Sequence, residues 1–394
     1  MSKKLFVLGA YDRYNYGDIL FAHIITKMLS PYYERIEFYG LVESDLTSVG
    51  GFITKSLREL NNCKENYDIN LVVAGGESLT VSWGVLLTYI SPFFYRLNLI
   101  WRILSKLFGA SFPIKIKNYI SKLYLGGKSE LPFSVSNRDF SFVSKVFYNS
   151  LGGSALKKPP KYITKSVFEN WRNVDYLSVR DNVTYDGLLK NNIKVKLVPD
   201  SAILMSKFYP KDVLAKNISE EVLEYLATEK SYCFFQVNKS YFAKHRDEIV
   251  SQLVLINNRL DIEICLCPIG FAYGHEDDWA LRNISELLSI EHKFFETVSI
   301  WDIMYLIANS DIYVGTSLHG TITAMSFSKP YVGLEVIKLE NYLNTWAPTP
   351  LKDITKIADI CNSVEKNISF DRRVLLENCN KQMDLVLKSF EFMK

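Results

Sequence analysis

Cysteine is scarce in this chain, six in 394 residues. The one close pair, Cys265 and Cys267, lies in a strand-like run with no second pair to complete a site. That spacing argues against a zinc centre and against a disulfide framework, and no metal is expected. A charge excess is lacking too: the net charge is +3, which gives no footing for nucleic acid as a partner. No Pro/Gly-rich linker divides the chain, and no apolar run reads as a membrane span. The stretch 78–95 is uncharged, but its Ser and Thr residues, Gly84 and Pro92 weaken it as one. The N-terminus turns polar quickly and enters a strand pattern, unlike a secretory signal. With reduced thiols, the expected location is cytoplasmic.

What is present is a rhythm. Short β-rich runs alternate with helix-period segments, the sequence form of a parallel α/β sheet. Strands are expected at 4–8, 36–39, 70–74, 133–136, 176–179 and 195–198, then at 232–237, 263–268, 312–314 and 331–334. Helices are expected at 18–29, 140–150, 182–190, 241–257, 277–288, 300–309, 320–328 and 372–392. The chain is long enough for two cores. The expected division is an α/β domain over 1–205, a second over 206–365, and a terminal helix within 366–394 packing across the junction. Two Rossmann-like halves that face each other bring the carboxyl ends of both sheets to one cleft, where ligands bind.

One segment breaks the rhythm, a helical insertion at about 78–129 without a single acidic residue. Arg96, Arg102, Lys106, Lys115, Lys117, Lys122 and Lys128 are interleaved there with Trp83, Tyr89, Phe93, Phe94, Tyr95, Trp101 and Phe108. Two readings stand: a helix lying at a membrane surface, or an insertion whose aromatics are core.

The candidate site residues sit where predicted strands end. The turn from Gly315 to Gly320 carries Thr316, Ser317 and His319, one of only five histidines, at the start of a helix pattern. Hydroxyls and amides at a helix N-terminus favour an anion, and an imidazole beside an anion pocket suits proton transfer. Earlier, Asn15, Gly17 and Asp18 form the first βα turn, as substrate contacts or as turn and cap. The spacing of the glycines is not that of a dinucleotide fingerprint. Gly75 and Gly76 let a ligand near the backbone, with Glu77 at the mouth of the cleft or simply complementing a helix dipole. Arg180 either forks onto a carboxylate or phosphate, or pairs with Asp181 or Asp200. Asp200 is a strand-end carboxylate that serves as base, hydroxyl ligand or cap. His275 stands among acidic neighbours whose adjacency spreads them over different helix faces, which argues against a metal.

Taken in order, Asn15-Tyr-Gly17-Asp18, Gly75-Gly76-Glu77, Ser178-Val-Arg180-Asp181, Pro199-Asp200 and Gly315-Thr-Ser-Leu-His319-Gly320 resemble the polysaccharide pyruvyltransferase family. The resemblance implies a glycosyltransferase-B-like fold of two domains, the second binding the donor. It implies no cofactor, phosphoenolpyruvate as co-substrate, and a ketal across two hydroxyls of a sugar in a surface polysaccharide or glycolipid precursor. It makes His319 the general acid/base, with Asp18 and Asp200 beside it in catalysis. Arg180, Thr316, Ser317, Gly320 and Glu335 become the donor side; Asn15, Gly17, Gly75, Gly76, Glu77 and His275 become the acceptor side. An acceptor carried on lipid would bring the protein to the inner face of the cell membrane through 78–129. Some relatives have arginine two residues before the histidine; Ser317 stands there in this chain, so Arg180, Arg13 or a lysine must supply the charge. The rivals are a nucleotide-sugar glycosyltransferase of the same fold, in which Glu335 binds the ribose, and a carbohydrate-binding protein without catalysis.

Overall fold

The computed structural model describes residues 3–64, 68–109 and 111–394. Phe108 is on a described helix, but its side chain lies outside the described residues, as do Met1 and Ser2. The first sheet contains β1 (Lys3–Leu8), β2 (Arg35–Gly40), β3 (Ser44–Asp45), β4 (Ile53–Ser56), β5 (Asp68–Ala74), β6 (Val143–Leu151), β7 (Tyr176–Val179) and β8 (Lys196–Leu197). Their spatial order is β3-β4-β2-β1-β5-β6-β7-β8. Among the described residues of this sheet, β3 and β4 pair antiparallel and the other neighbours pair parallel. The second sheet contains β9 (Tyr232–Gln236), β10 (Glu263–Leu266), β11 (His292–Phe294), β12 (Ile312–Gly315) and β13 (Tyr331–Gly333), in the order β11-β10-β9-β12-β13, all parallel.

Period-2 patterning explains how the central strands are held. Along β1, Leu5 and Val7 enter one apolar cluster while Phe6 and Leu8 enter the other. Helices cover both faces, so the strand reads as a continuous apolar run. The same alternation corrects two expectations. Residues 140–150 are not a helix; they fall largely in β6, where Val146 and Tyr148 face one core and Phe147 the other. Val143, Val146, Phe147 and Ser150 also fit a helical spacing, and burial on both faces of a central strand removes the polar face that would distinguish the two periods. Residues 133–136 are loop, tied down by Tyr148 Oη, which donates to Val135 O (2.7 Å) and accepts from Val135 N (2.7 Å).

One apolar cluster crosses between the two sheets: Tyr16 and Ile19 of the helix Tyr16–Leu29 share it with Leu318 and Ile322. The helix Arg372–Phe390 belongs to it too. Just beyond that helix, Tyr33 Oη donates to Met393 O (2.7 Å) and Phe392 stacks on Tyr176 (4.9 Å) beside the first sheet. All six cysteines are free, and burial pushes the thiols of Cys265 and Cys267 up, so they act as core.

Candidate functional site

The lobes are stitched together beside the site. Asn15 bridges Gly270 in antiparallel fashion, Tyr16 N donates to Ile269 O (3.2 Å) and Phe271 N to Tyr14 O (3.2 Å). The helix begins at Tyr16, two residues earlier than expected, with Asn15 at the cap position but making no side-chain cap bond. Asp18 therefore is no cap; it lies in the first turn. Its carboxylate lies against Gly76, where φ is +59° and an added Cβ would come within 2.8 Å of Asp18 Oδ1. Gly17 has a sharper reason to be glycine. A Cβ there would lie 1.7 Å from His319 Nδ1, so the imidazole packs directly on the helix backbone.

His319 stands one residue inside the helix Leu318–Ser326, which Ser317 caps by accepting from Gly320 N (3.2 Å). The turn before it is held by Gln236 at the end of β9. Gln236 Oε1 accepts from Ser317 N (3.0 Å) and Thr316 Oγ1 (3.3 Å), and its Nε2 donates to Asp277 Oδ2 (2.7 Å). Asp277 also accepts from Gly270 N (2.8 Å) and Ile269 N (3.2 Å). Burial still pushes its carboxyl up to about 7 against these bonds. Gly320 lets the helix press on Tyr313, whose hydroxyl would be 2.3 Å from an added Cβ.

Behind the imidazole is a buried network. His319 Nε2 is 3.4 Å from Asp200 Oδ2 and 3.5 Å from Arg180 Nη1. Arg180, 2% exposed, donates from Nη1 to Asp200 Oδ2 (2.9 Å) and from Nη2 to Glu77 Oε2 (3.2 Å). Glu77 Oε1 accepts from Ser154 N. Gly152 leaves room for this pair, since its Cβ would strike both Glu77 and Arg180. Asp181 caps the next helix through Thr184 N (2.8 Å). Burial alone would raise Asp200, but His319 and Arg180 beside it hold its carboxyl below the usual carboxylate range. Of the two sequence readings of Arg180, the ion pair with Asp200 is formed.

These groups border a cavity of about 690 Å³ between the lobes. Asn15, Asp18, Gly76, Glu77, Arg180, His275, Thr316, Ser317 and His319 line it. Gly17, Gly75, Asp200 and Gly320 do not, and Glu335 is exposed outside it. Two further cations line it that the strand-end patterns did not single out. Arg13 is 8% exposed, yet among the described residues its Nη1 and Nη2 make no hydrogen bond and its ion partner is Asp12, 3.4 Å away. Lys338 is half-buried at the start of the helix Ile337–Trp346. Burial, with Arg180 adding to it, lowers Lys338, while Glu77, Asp18 and Asp277 oppose. Burial raises Asp18 against the pull of Arg13, His319 and Lys338. His275 is pushed down to about 4 by burial, then by Lys338 and Arg13, so it is neutral near pH 7. Among the described residues, no group of three or more His, Cys, Asp or Glu could hold a metal. A cavity with three cationic side chains, a half-hidden imidazole and separate carboxylates can hold a small polyanion and move a proton beside it.

A sequence profile described as polysaccharide pyruvyl transferase matches residues 15–336. The chain belongs to that family. The polysaccharide pyruvyl transferase match contains His319, Asp200, Arg180 and Glu77, and ends just short of Lys338, with Arg13 just before its start. No curated protein matches the chain. Among solved structures, it is similar to the UDP-GlcNAc 2-epimerase of Methanocaldococcus jannaschii in complex with UDP-GlcNAc and UDP. Identity is 14%, the TM-score is 0.53, and 94% of each chain is covered. It is also similar to the UDP-GlcNAc 2-epimerase of Neisseria meningitidis bound to UDP-GlcNAc, at 12% identity and a TM-score of 0.54, with 99% of each chain covered. At such identities the likeness carries the fold alone: the chain has the glycosyltransferase-B arrangement.

Proposed function

We propose that the interlobe cavity transfers pyruvate from phosphoenolpyruvate to two hydroxyls of a sugar, closing a ketal on a surface-polysaccharide or glycolipid precursor in the cytoplasm. The observation that carries this reading is the pairing of His319 with Asp200 beside cations that line the same cavity. Phosphoenolpyruvate brings a carboxylate and a phosphate, and Arg13 and Lys338 supply charge where Ser317 supplies none. At about 4 Å and an effective dielectric of about 20, each such contact is worth roughly 4 kcal/mol before desolvation.

The chemistry balances as follows. A proton reaches the methylene carbon, which becomes methyl, and C2 becomes electrophilic. One sugar hydroxyl attacks C2 and gives up its proton. The C2–O bond to phosphate breaks, the second hydroxyl attacks, and its proton leaves with hydrogen phosphate. One imidazole can handle both protons in turn, with Asp200 stabilising its charged form. Arg180 acts through its neighbours, fixing Asp200 and Glu77. Asp18, Asn15 and His275 face the acceptor hydroxyls, and Thr316 with the helix start faces the donor.

The test is incubation with phosphoenolpyruvate and candidate saccharide acceptors, read by mass spectrometry. A pyruvyl mass increment with one inorganic phosphate released per turnover is expected. Release of UDP or CMP from a sugar nucleotide, with phosphoenolpyruvate untouched, would give the site to glycosyl transfer instead.

A further inference from the structure

The insertion presents a surface that pyruvyl transfer itself does not use. Between β5 and β6 the described residues form four helices, Trp83–Ile90, Pro92–Arg96, Asn98–Phe108 and Ser111–Leu125. On the third, Ile100, Ile103 and Leu107 fall at i, i+3 and i+7, one stripe of a helix. All three are exposed, Leu107 by 70%. The fourth repeats this with Ile120, Leu123 and Tyr124, also exposed. Loose packing is not the cause. Gly84 N donates to Asn118 Oδ1 (2.9 Å), and Lys117 Nζ to Asn98 Oδ1 (2.6 Å), so the helices are joined to one another.

Charge selects the occupant. Arg96, Arg102, Lys106 and Lys115 are exposed on the second, third and fourth of these helices, and from 78 to 129 there is no Asp or Glu to balance them. A second copy seated on the same face would set like charge against like. An anionic amphiphile complements both features. No described helix is long and apolar enough to cross a membrane, so contact would lie at the interface.

We propose that this face seats the protein on an anionic phospholipid bilayer, with the apolar stripes in the headgroup boundary and the basic side chains on lipid phosphates. Where the pyruvyl-transfer reading holds, the acceptor is then lipid-linked. The helix Trp83–Ile90 sends Val85, Leu86 and Tyr89 into the cavity and joins the fourth helix through Gly84. Tyr95 Oη donates to Glu276 Oε2 (3.0 Å) on the second lobe. The docked module is thus also a wall of the cavity.

The experiment is flotation of the full chain with vesicles of phosphatidylcholine, alone or mixed with phosphatidylglycerol. Binding to the mixed vesicles is expected, weakened by salt, and reduced about tenfold or more by Ile103→Asp with Leu107→Asp. Arg102→Glu with Lys106→Glu should reduce it as well. No binding to mixed vesicles overturns the proposal, as does undiminished binding by the double aspartate variant. A dimer in sedimentation that this variant dissociates, without vesicle binding, assigns the face to a second copy. Vesicle binding requires neither donor nor acceptor, so its failure and a failure of pyruvyl transfer are read separately. For the acceptor, the aspartate variant should lose turnover on a glycolipid in mixed vesicles and keep it on a water-soluble saccharide; equal loss on both overturns that step.

Discussion

Two regions of the cavity hold buried charge in opposite ways. Around Arg180 every charge has a partner: Asp200 and Glu77 take its nitrogens, and Asp200 stays ionised beside His319. Across the cavity, Arg13 is nearly as buried with no hydrogen bond on its terminal nitrogens, and Asp277 has three donors but no salt bridge among the described residues. The two buried aspartates accordingly shift in opposite directions, Asp200 down and Asp277 up. A fully paired region is built to keep its shape. An unpaired one keeps a cost that a bound ligand can relieve.

The comparison breaks first at Arg180. Arg180→Ala leaves Asp200 and Glu77 without their cation, Asp200 deep in the protein, which costs about 3–5 kcal/mol. Urea denaturation should give a lower midpoint by that measure, with turnover lost. A variant as stable as the parent would show the pairing to be idle. His319→Ala tests the same region without a large stability effect, since His319 keeps some exposure and its bonds are long. We expect kcat to fall about 10³-fold, within the range of general acid–base catalysis, while the melting temperature moves little. Unchanged phosphate release would remove His319 from the chemistry.

How far the sequence reached follows the same division. Strand-end motifs are local: glycines, a capped helix start and a turn histidine announce themselves within a few residues, and the structure brings His319, Arg180, Glu77 and Asp18 around one cavity. Arg13 was legible only as a spare cation and Lys338 not at all, because each is an ordinary charge on an ordinary surface until the two lobes meet. Glu335 illustrates the reverse: it follows a strand-like run, yet its side chain is exposed, three positions from the lysine that does line the cavity. The helix-like spacing of β6 has a comparable origin, since burial on both faces erases the polar side that periodicity needs.

Asp277 sharpens the comparison through pH. Its folded-state value of about 7 lies above the unfolded carboxylate value near 4, so folding favours its protonated form. Its ionisation therefore subtracts stability as pH rises between about 4 and 7 and subtracts no more above that. Asp277→Asn should match the parent most closely near pH 4, then gain on it up to about pH 7, by on the order of 2–4 kcal/mol. Asp200, shifted the other way, gives stability present above its unfolded value and lost as pH falls through its folded one. Parallel stability profiles for Asp277→Asn and parent would mean that its three hydrogen bonds already offset the burial.

The smallest effect is the most discriminating. If the unpaired cations hold the donor, Arg13→Gln and Lys338→Gln should each raise the KM for phosphoenolpyruvate about tenfold, roughly 1.4 kcal/mol. Each should leave kcat within a few-fold and the urea midpoint close to the parent, unlike Arg180→Ala. The double variant tests whether they share one anion. Two contacts to the same group should couple, and their combined effect should depart from the product of the single ones. Independent effects would mean that carboxylate and phosphate are held apart, one by each lobe.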